Sequence, residues 1–435
     1  MTTRTFKSMT LAGLMSLAAC NAVVPEQLPV LPPADSPSRV AAAVPASDAL
    51  ALELFRDVVA SEKGNVVFSP ASAENLLRLL QRGAAGKTRA AFDSLPMGKP
   101  GVRSAMQVKS ADGLFAENRV QVHLADVPLR RVPFATDAEA AARAVNDWCK
   151  KKTEGCIPEL LRRDDISADT ALIALNAVYL REKWLRPFDP DATDKNADFL
   201  TPEGKKKVEM MFCSDRFRYA EGLDWKAVAL FYDTGDRPGE PGCFIGVLPK
   251  GDARSFAATL TPQKYSEIRG ALASSRPQEL EVSLPKFSVR TETFDLTGAL
   301  KKAGLGIAFS PAADFSSLAT DPAGPLSLSA VVQRCYVDVS ETETVAAAVT
   351  GGSVKWAMLP MAPPPAIRFD RPFIWAIGDL TTGAAPYFMG LFEQPNDPHA
   401  HPSLTRSAAG IHTRRASPFL PRCLHSECCS KPKIR

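Results

Sequence analysis

Residues 338–373 read DVSETETVAAAVTGGSVKWAMLPMAPPPAIRFDRPF, and the order of chemistries in that stretch decides the architecture. Asp338 and Val339 close a strand-like run. From Ser340 the sequence turns polar and then alanine-rich without apolar periodicity, crosses Pro363, Pro364 and Pro365, and is strand-like again at Ile367. A connection of about 25 residues with no structure of its own is uncommon inside a compact domain and is normally functional or disordered. A permanently solvated linker would be charged or rich in Gly, Ser and Pro. Ala346, Ala347, Ala348, Val349 and Thr350 are instead small, uncharged and free of proline. Small side chains at alternate positions fit a buried sheet face without clashes, so this run can enter a sheet at a later stage.

The remainder of the 435 residues is long enough to bury a large core around this stretch. A hydrophobic content of 45% with 23% charged residues is that of a globular protein. The net charge of +4, without a basic helix or interleaved aromatic and basic residues, gives no case for nucleic acid. Residues 48–59 carry apolar side chains at helical spacing behind a Ser47-Asp48 cap signal. Asn65 to Ser72 (NVVFSPAS) reads as a short strand delivering Ser69 and Ser72 to an apolar helix from Ala73 to Arg82, closed by Gly83. Gly83 to Thr88 fails as a phosphate loop, because Gln81 stands where GxxxxGK needs glycine and a helix, not a strand, precedes it. Asp137 to Lys152 is an amphipathic helix opened by the capping-box pattern of Thr136 and Glu139. Ala171 to Trp184, ALIALNAVYLREKW, is a buried strand with one amide, Asn176, in its centre.

Several blocks stand in a fixed order along this chain. They are Val145-Asn146-Asp147-Trp148 followed by Thr153, Gly155 and Ile157; Arg186-Pro187-Phe188-Asp189; Val282 to Phe287; Gly304 through Ala313-Asp314-Phe315-Ser316; Glu341 to Thr350; Pro363 to Phe373; and Tyr387-Phe388-Met389-Gly390. Together they resemble the serpins over residues 47–395. The resemblance implies an α+β serpin fold, with three β-sheets, a helical subdomain and an exposed reactive-centre loop. It implies a monomer that acts as a suicide substrate of a serine protease or a cysteine protease. The cleaved loop inserts into the main sheet as a new strand and distorts the attached protease, a transition that is a known case of released strain. Ser69, Ser72 and Asn176 match the polar cluster beneath that sheet. The family's usual histidine beside them is replaced by Gln333, whose amide can donate and accept. Trp184 matches the point where the loop first enters the sheet. The alternative is a non-inhibitory serpin-fold surface or binding protein that is cleaved as a simple substrate.

Along the hinge, Glu341, Thr344, Ala346, Ala347 and Ala348 fit the family pattern, and the inward set Thr344, Ala346, Ala348, Thr350, Gly352 and Val354 is small or apolar enough to bury. Glu343 stands where glycine is usual and Val345 where Glu is usual. If the glycine conformation needs positive φ, Glu343 costs about 1–3 kcal/mol. Placed in the insertion transition state, each ~1.4 kcal/mol slows that step about tenfold. Counting forward from Glu341 gives Ala357-Met358 as the scissile bond; counting back from Phe369 gives Met361-Ala362. Ala357 is preferred because insertion length is physically constrained. Either bond suits an elastase- or chymotrypsin-like target.

The chain is shorter than the usual serpin pattern between Pro96 and Lys109 and between Val122 and Val132. This implies loss of the helix some relatives use for glycosaminoglycan activation and of part of its neighbour, and so no heparin-type site. No GxSxG or HExxH is present, and His123 is the only histidine within residues 47–395, so enzyme chemistry, a metal or a cofactor is not expected. Cys149, Cys156, Cys213, Cys243 and Cys335 are odd in number without a CxxC pair, which argues against a disulfide framework; Cys149 and Cys156 are the one pair close in sequence.

At the N-terminus, Arg4 and Lys7 precede the apolar run Leu11 to Ala19, too brief to span a bilayer. Leu17-Ala18-Ala19-Cys20 resembles the lipobox of bacterial lipoproteins. That resemblance implies a signal peptide at 1–19, lipids on Cys20, and a cell-envelope or extracellular location anchored to a bacterial membrane. Residues 20–46 are a proline-rich tether, extended at about 3.1 Å per residue. Residues 396–435 match nothing in the family and are expected to be a disordered basic tail; Cys423, His425, Cys428 and Cys429 lie there with no element to position them.

Overall fold

The run Leu172–Leu180 has eight of its nine positions buried, which a strand tolerates only when elements cover both its faces. In the computed structural model it lies inside the principal sheet. The structure describes residues 46–98, 105–124, 126–180, 182–290, 294–341 and 364–395.

The chain forms α1 (Ala46–Ser61), β1 (Val66–Phe68), α2 (Pro70–Gly83), α3 (Gly86–Asp93), β2 (Val108–Glu117), β3 (Gln121–Val122), β4 (Leu129–Val132), α4 (Ala138–Lys152) and β5 (Leu172–Leu180). It continues through β6 (Asp194–Thr201), β7 (Gly204–Glu221), β8 (Trp225–Phe231), β9 (Cys243–Pro249), α5 (Ala253–Ala258), α6 (Pro262–Ser274), β10 (Gln278–Pro285), β11 (Phe287–Arg290) and β12 (Phe294–Asp295). It ends with α7 (Thr297–Leu300), β13 (Ala319–Thr320), β14 (Ala330–Val339), β15 (Ala366–Arg368), β16 (Phe373–Gly378) and β17 (Phe388–Phe392).

The main sheet has the order β11-β14-β5-β2-β4, with β12 also on β14. β14 runs parallel to β5, β5 antiparallel to β2, and β2 parallel to β4. Nine further strands follow the order β1-β17-β16-β9-β8-β7-β10-β15, with β6 on β7. β7 is 18 residues long and serves two groups: residues up to Phe217 pair with β6 and β10, and Arg218 to Glu221 pair with β8. Those nine strands thus act as two sheets sharing one strand, which with the main sheet makes three large sheets; β13 and β3 form a small two-stranded pair of their own.

Both faces of the main sheet are covered. On one face Ala141, Ala142, Val145 and Cys149 of α4 pack with Ile173, Leu175, Ala177, Ala330 and Val332. On the other, Leu76, Leu77 and Leu80 of α2 share a core with Leu172, Ala174 and Val331. Further along that face Val178, Cys335 and Val337 join Phe244, Trp375 and Phe388 of the second sheet.

Helix starts differ from the sequence expectation in three places. α4 is capped by Asp137, whose carboxylate accepts the Ala140 N–H at 2.9 Å, so Thr136 is not the cap. A carboxylate is favoured there by the positive helix end. α1 begins at Ala46, so Asp48 lies inside its first turn, where it is fully buried and faces Arg269 at 3.3 Å. α2 begins at Pro70 rather than Ala73, since proline suits the first helical turn, where its missing N–H is not needed. Among the described residues neither 94–107 nor 118–128 forms a helix. Cys149 and Cys156 are free thiols, and burial pushes the Cys149 thiol up to about 11.

Candidate functional site

Of the residues singled out in the sequence, Ser69, Ser72, Asn176 and Gln333 lie together at the seam between β5 and β14. The two strands pair in parallel register from Ile173–Ala330 to Tyr179–Tyr336, placing Asn176 directly beside Gln333. Beyond that contact β5 ends at Leu180, while β14 continues to Val339 against β11.

Beneath the seam lies a chain of hydrogen bonds. The Ser69 N–H donates to Gln333 Oε1 at 2.8 Å, and Gln333 Nε2 donates to the Ser69 carbonyl at 3.0 Å. The same Nε2 donates to Asn176 Oδ1 at 2.9 Å, and Asn176 Nδ2 donates to Asp112 Oδ1 on β2 at 2.6 Å. The Ser69 hydroxyl donates to the Tyr387 carbonyl at 2.6 Å and leaves α2 without a side-chain cap. The Ser72 hydroxyl donates to Ser110 Oγ at 3.1 Å, and Ser110 donates to Asp112 Oδ2 at 3.2 Å. Ser69, Asn176 and Gln333 are at most 1% exposed, so the bonds among them are made where an unpaired polar group is costly, whereas Asp112 is half-buried and Ser110 exposed. Gln333 thus both donates and accepts within this chain of bonds.

Above the seam the side chains change to aromatic. Trp184 stacks on Tyr232 with ring centroids 4.7 Å apart, meets Phe188 and Phe244 edge-on, and donates its indole N–H to the Ser340 carbonyl at 2.7 Å. Glu341, the next residue, is held by three partners. Its carbonyl accepts the Phe188 N–H at 2.9 Å, and its carboxylate lies 3.1 Å from Lys286 Nζ and accepts the Thr193 hydroxyl at 3.2 Å. Burial opposes its ionisation, but its own N–H, Lys286 and Thr193 prevail and hold the carboxyl below the usual glutamate range. The chain re-enters the described structure at Pro364 and joins β15, which pairs parallel with β10. Residues 342–363 therefore connect the main sheet to another one.

Glu343, Thr344, Val345, Ala346, Ala347 and Ala348 of the hinge, and Ala357, Met358, Met361 and Ala362 at the two scissile-bond positions, lie outside the described residues, as do Cys20 and the tail cysteines. His123 sits at the surface with Nε2 2.9 Å from the Thr320 hydroxyl. No three His, Cys, Asp or Glu side chains among the described residues are placed to hold a metal ion.

The family model described as Serpin (serine protease inhibitor) matches residues 115–395, which include both strands of the seam and the connection that leaves it. The chain belongs to the serpin family. An uncharacterized serpin-like protein of Methanosarcina acetivorans is 29% identical to it over 80% of this chain and 87% of its own length. The leukocyte elastase inhibitor of Sus scrofa is 30% identical over 76% of this chain and 94% of its own. The crystal structure of Serpin48 of Tenebrio molitor superposes with a TM-score of 0.67 at 26% identity, over 81% of this serpin and 97% of that one. Serpins are typically protease inhibitors rather than catalysts, and some do not inhibit.

Three residues at the site were not found from sequence. Asp112 and Ser110 sit in VKSADGLF, whose polar positions look exposed until strand pairing sets Asp112 opposite Asn176. Lys286 lies inside a family block, but nothing local to it indicates a partner at Glu341.

Proposed function

We propose that this serpin inhibits a serine protease as a suicide substrate, with residues 342–363 as bait and the β5–β14 seam as the place where the cleaved limb inserts. The observation that carries this reading is the parallel pairing of β5 with β14. A limb that leaves the end of β14 and folds back necessarily runs antiparallel to both strands, and antiparallel pairing is slightly the more stable per residue. Insertion exchanges one parallel interface for two antiparallel ones. About a dozen added backbone bonds at roughly 0.5–1.5 kcal/mol each supply on the order of 10 kcal/mol.

The length of β14 sets how much limb can pair. It has ten residues, and Thr344 to Val354 is a limb of about that length, which favours cleavage at Ala357-Met358 over Met361-Ala362. A small apolar residue before the cut suits an elastase-like protease, and the name of the porcine relative points the same way. Cys20 carries the lipid that tethers the domain to a bacterial envelope membrane; metabolic palmitate labelling that survives Cys20→Ser would refute this.

The deciding experiment incubates the protein with pancreatic elastase. A covalent complex that resists detergent, with a cut after Ala357 and a higher melting temperature for the cleaved form, is expected. Glu343, in place of the usual glycine, favours the second reading, a non-inhibitory serpin. Complete cleavage without complex or gain in melting temperature would establish that reading and end the inhibitory one.

A further inference from the structure

We infer that Asp112 is a positioning residue whose ionised carboxylate strengthens the Asn176–Gln333 bond across the seam and thereby sets how readily β5 parts from β14. The inference rests on the reading above in one respect only: the seam is the part of the sheet that opens.

The geometry of the relay singles Asp112 out. At one end the Ser69 N–H and carbonyl hold Gln333 in a single orientation, Oε1 to the N–H and Nε2 to the carbonyl. Gln333 must then present Nε2 to Asn176, so Asn176 presents Oδ1 to Gln333 and Nδ2 to residue 112. A neutral acceptor at 112 would complete this chain, and asparagine could supply one without the cost of taking a charge out of water. What the carboxylate adds is its charge. The 2.6 Å bond from Asn176 Nδ2 is of charge-assisted length. Such a bond polarises the amide and makes its far oxygen a better acceptor, through cooperative strengthening along the chain. The far oxygen is the one that holds Gln333 on the opposite side of the seam.

Among the described residues no cation pairs with that half-buried charge. The groups around Asp112 are Asn176 from β5, Ser110 from its own strand, Ser72 of α2 behind Ser110, and Gln333 of β14 behind Asn176, none of them charged. Burial raises the Asp112 carboxyl above the usual aspartate range, against the bonds from Asn176 and Ser110 that lower it. The seam lacks the histidine the family usually has there, and Asp112 gives it a titratable group on the other side.

The test is amide hydrogen exchange in the full chain, read over residues 173–179 and 330–336, with β16 and β17 as internal control. Asp112→Asn keeps the shape and an acceptor oxygen but loses the charge. At about pH 8 its seam amides are expected to exchange about fivefold faster than wild type, the difference between a charge-assisted and a neutral bond. The control strands are expected to be unchanged. The ratio of variant to wild type cancels the intrinsic pH dependence of exchange, and it is expected to fall toward one as pH drops to about 4 and the wild-type carboxyl takes up its proton. A ratio of one at the higher pH, a ratio that does not fall on acidification, or equal acceleration of β16 and β17 overturns the inference. Ser110→Ala leaves the charge in place and keeps the wild-type pH dependence; its loss there would overturn the inference too. Exchange requires no cleavage, so a negative result with elastase ends the inhibitory reading without touching this one.

Discussion

Where β14 meets β5 the strands run parallel and the side chains beneath are Gln333 and Asn176; where β16 meets β17 and β9 they run antiparallel and the side chains are aromatic. Trp375 stacks on Phe244 with centroids 6.0 Å apart, and Phe373 and Phe287 lie 5.3 Å and 4.8 Å from Phe392. The backbone closes on these rings: a methyl group on Gly390 would come within 2.2 Å of the Trp375 indole. Amide-to-amide bonds can be exchanged for other hydrogen bonds at small net cost when strands part. Buried aromatic surface has no such substitute, and its loss is felt in full. The same chain thus contains one interface held by exchangeable polar bonds and another held by buried rings, and the connection 342–363 leaves from the first.

The largest expected effect breaks the permanent interface. Trp375→Ala removes a fully buried ring and should cost about 4 kcal/mol in urea unfolding. The loss should be similar before and after cleavage of 342–363, because neither form rearranges that sheet. A loss confined to the uncleaved form would erase the distinction between the two interfaces. Gln333→Leu is the smaller, seam-specific counterpart. It strands the Ser69 N–H and Asn176 Oδ1 and leaves the Ser69 carbonyl with the Ala73 N–H alone, which should cost about 2 kcal/mol. Its signature is faster exchange in β5 and β14 with β16 and β17 unmoved. If exchange instead rises throughout, the seam is not an independent unit.

Much of this contrast was legible in the sequence, and what was not shares one cause. The Leu172–Leu180 strand and the α2 and α4 helices follow from apolar spacing, which is local information. Ser69, Asn176 and Gln333 could be named because they fall in or beside recognisable blocks. Asp112 could not, because its role depends on the β2–β5 register, which sets it opposite Asn176 from 64 residues away. The caps misread at Thr136 and at Ser47-Asp48 show the same limit. Neighbouring polar residues are equivalent as local signals until burial selects among them, and burial sent Asp48 to Arg269. The continuous β7, shared by two sheets, has no marker in its 18 residues at the point where it changes partners.

The smallest effect lies where the seam gives way to the connection. Glu341 is 13% exposed and Lys286 41%, so their 3.1 Å ion pair is only partly shielded from water. Screening limits it to about 0.5 kcal/mol. Its sign with pH follows from the lowered Glu341 carboxyl. A group that ionises more readily in the folded protein than in the unfolded chain contributes stability above its unfolded value and loses it as pH falls through the folded one. Glu341→Gln should therefore melt slightly lower than wild type at neutral pH, and the two should coincide in acid, where the wild-type carboxyl is also neutral. Because the Glu341 carboxylate holds Thr193 as well as Lys286, the substitution should also loosen the point from which a cleaved limb begins to fold back, although the main-chain bond from the Phe188 N–H stays. Seam amides nearest Tyr336 should then exchange faster while those near Ala330 do not. An effect that spreads evenly along β14 would mean that the seam opens as one piece rather than from its Trp184 end.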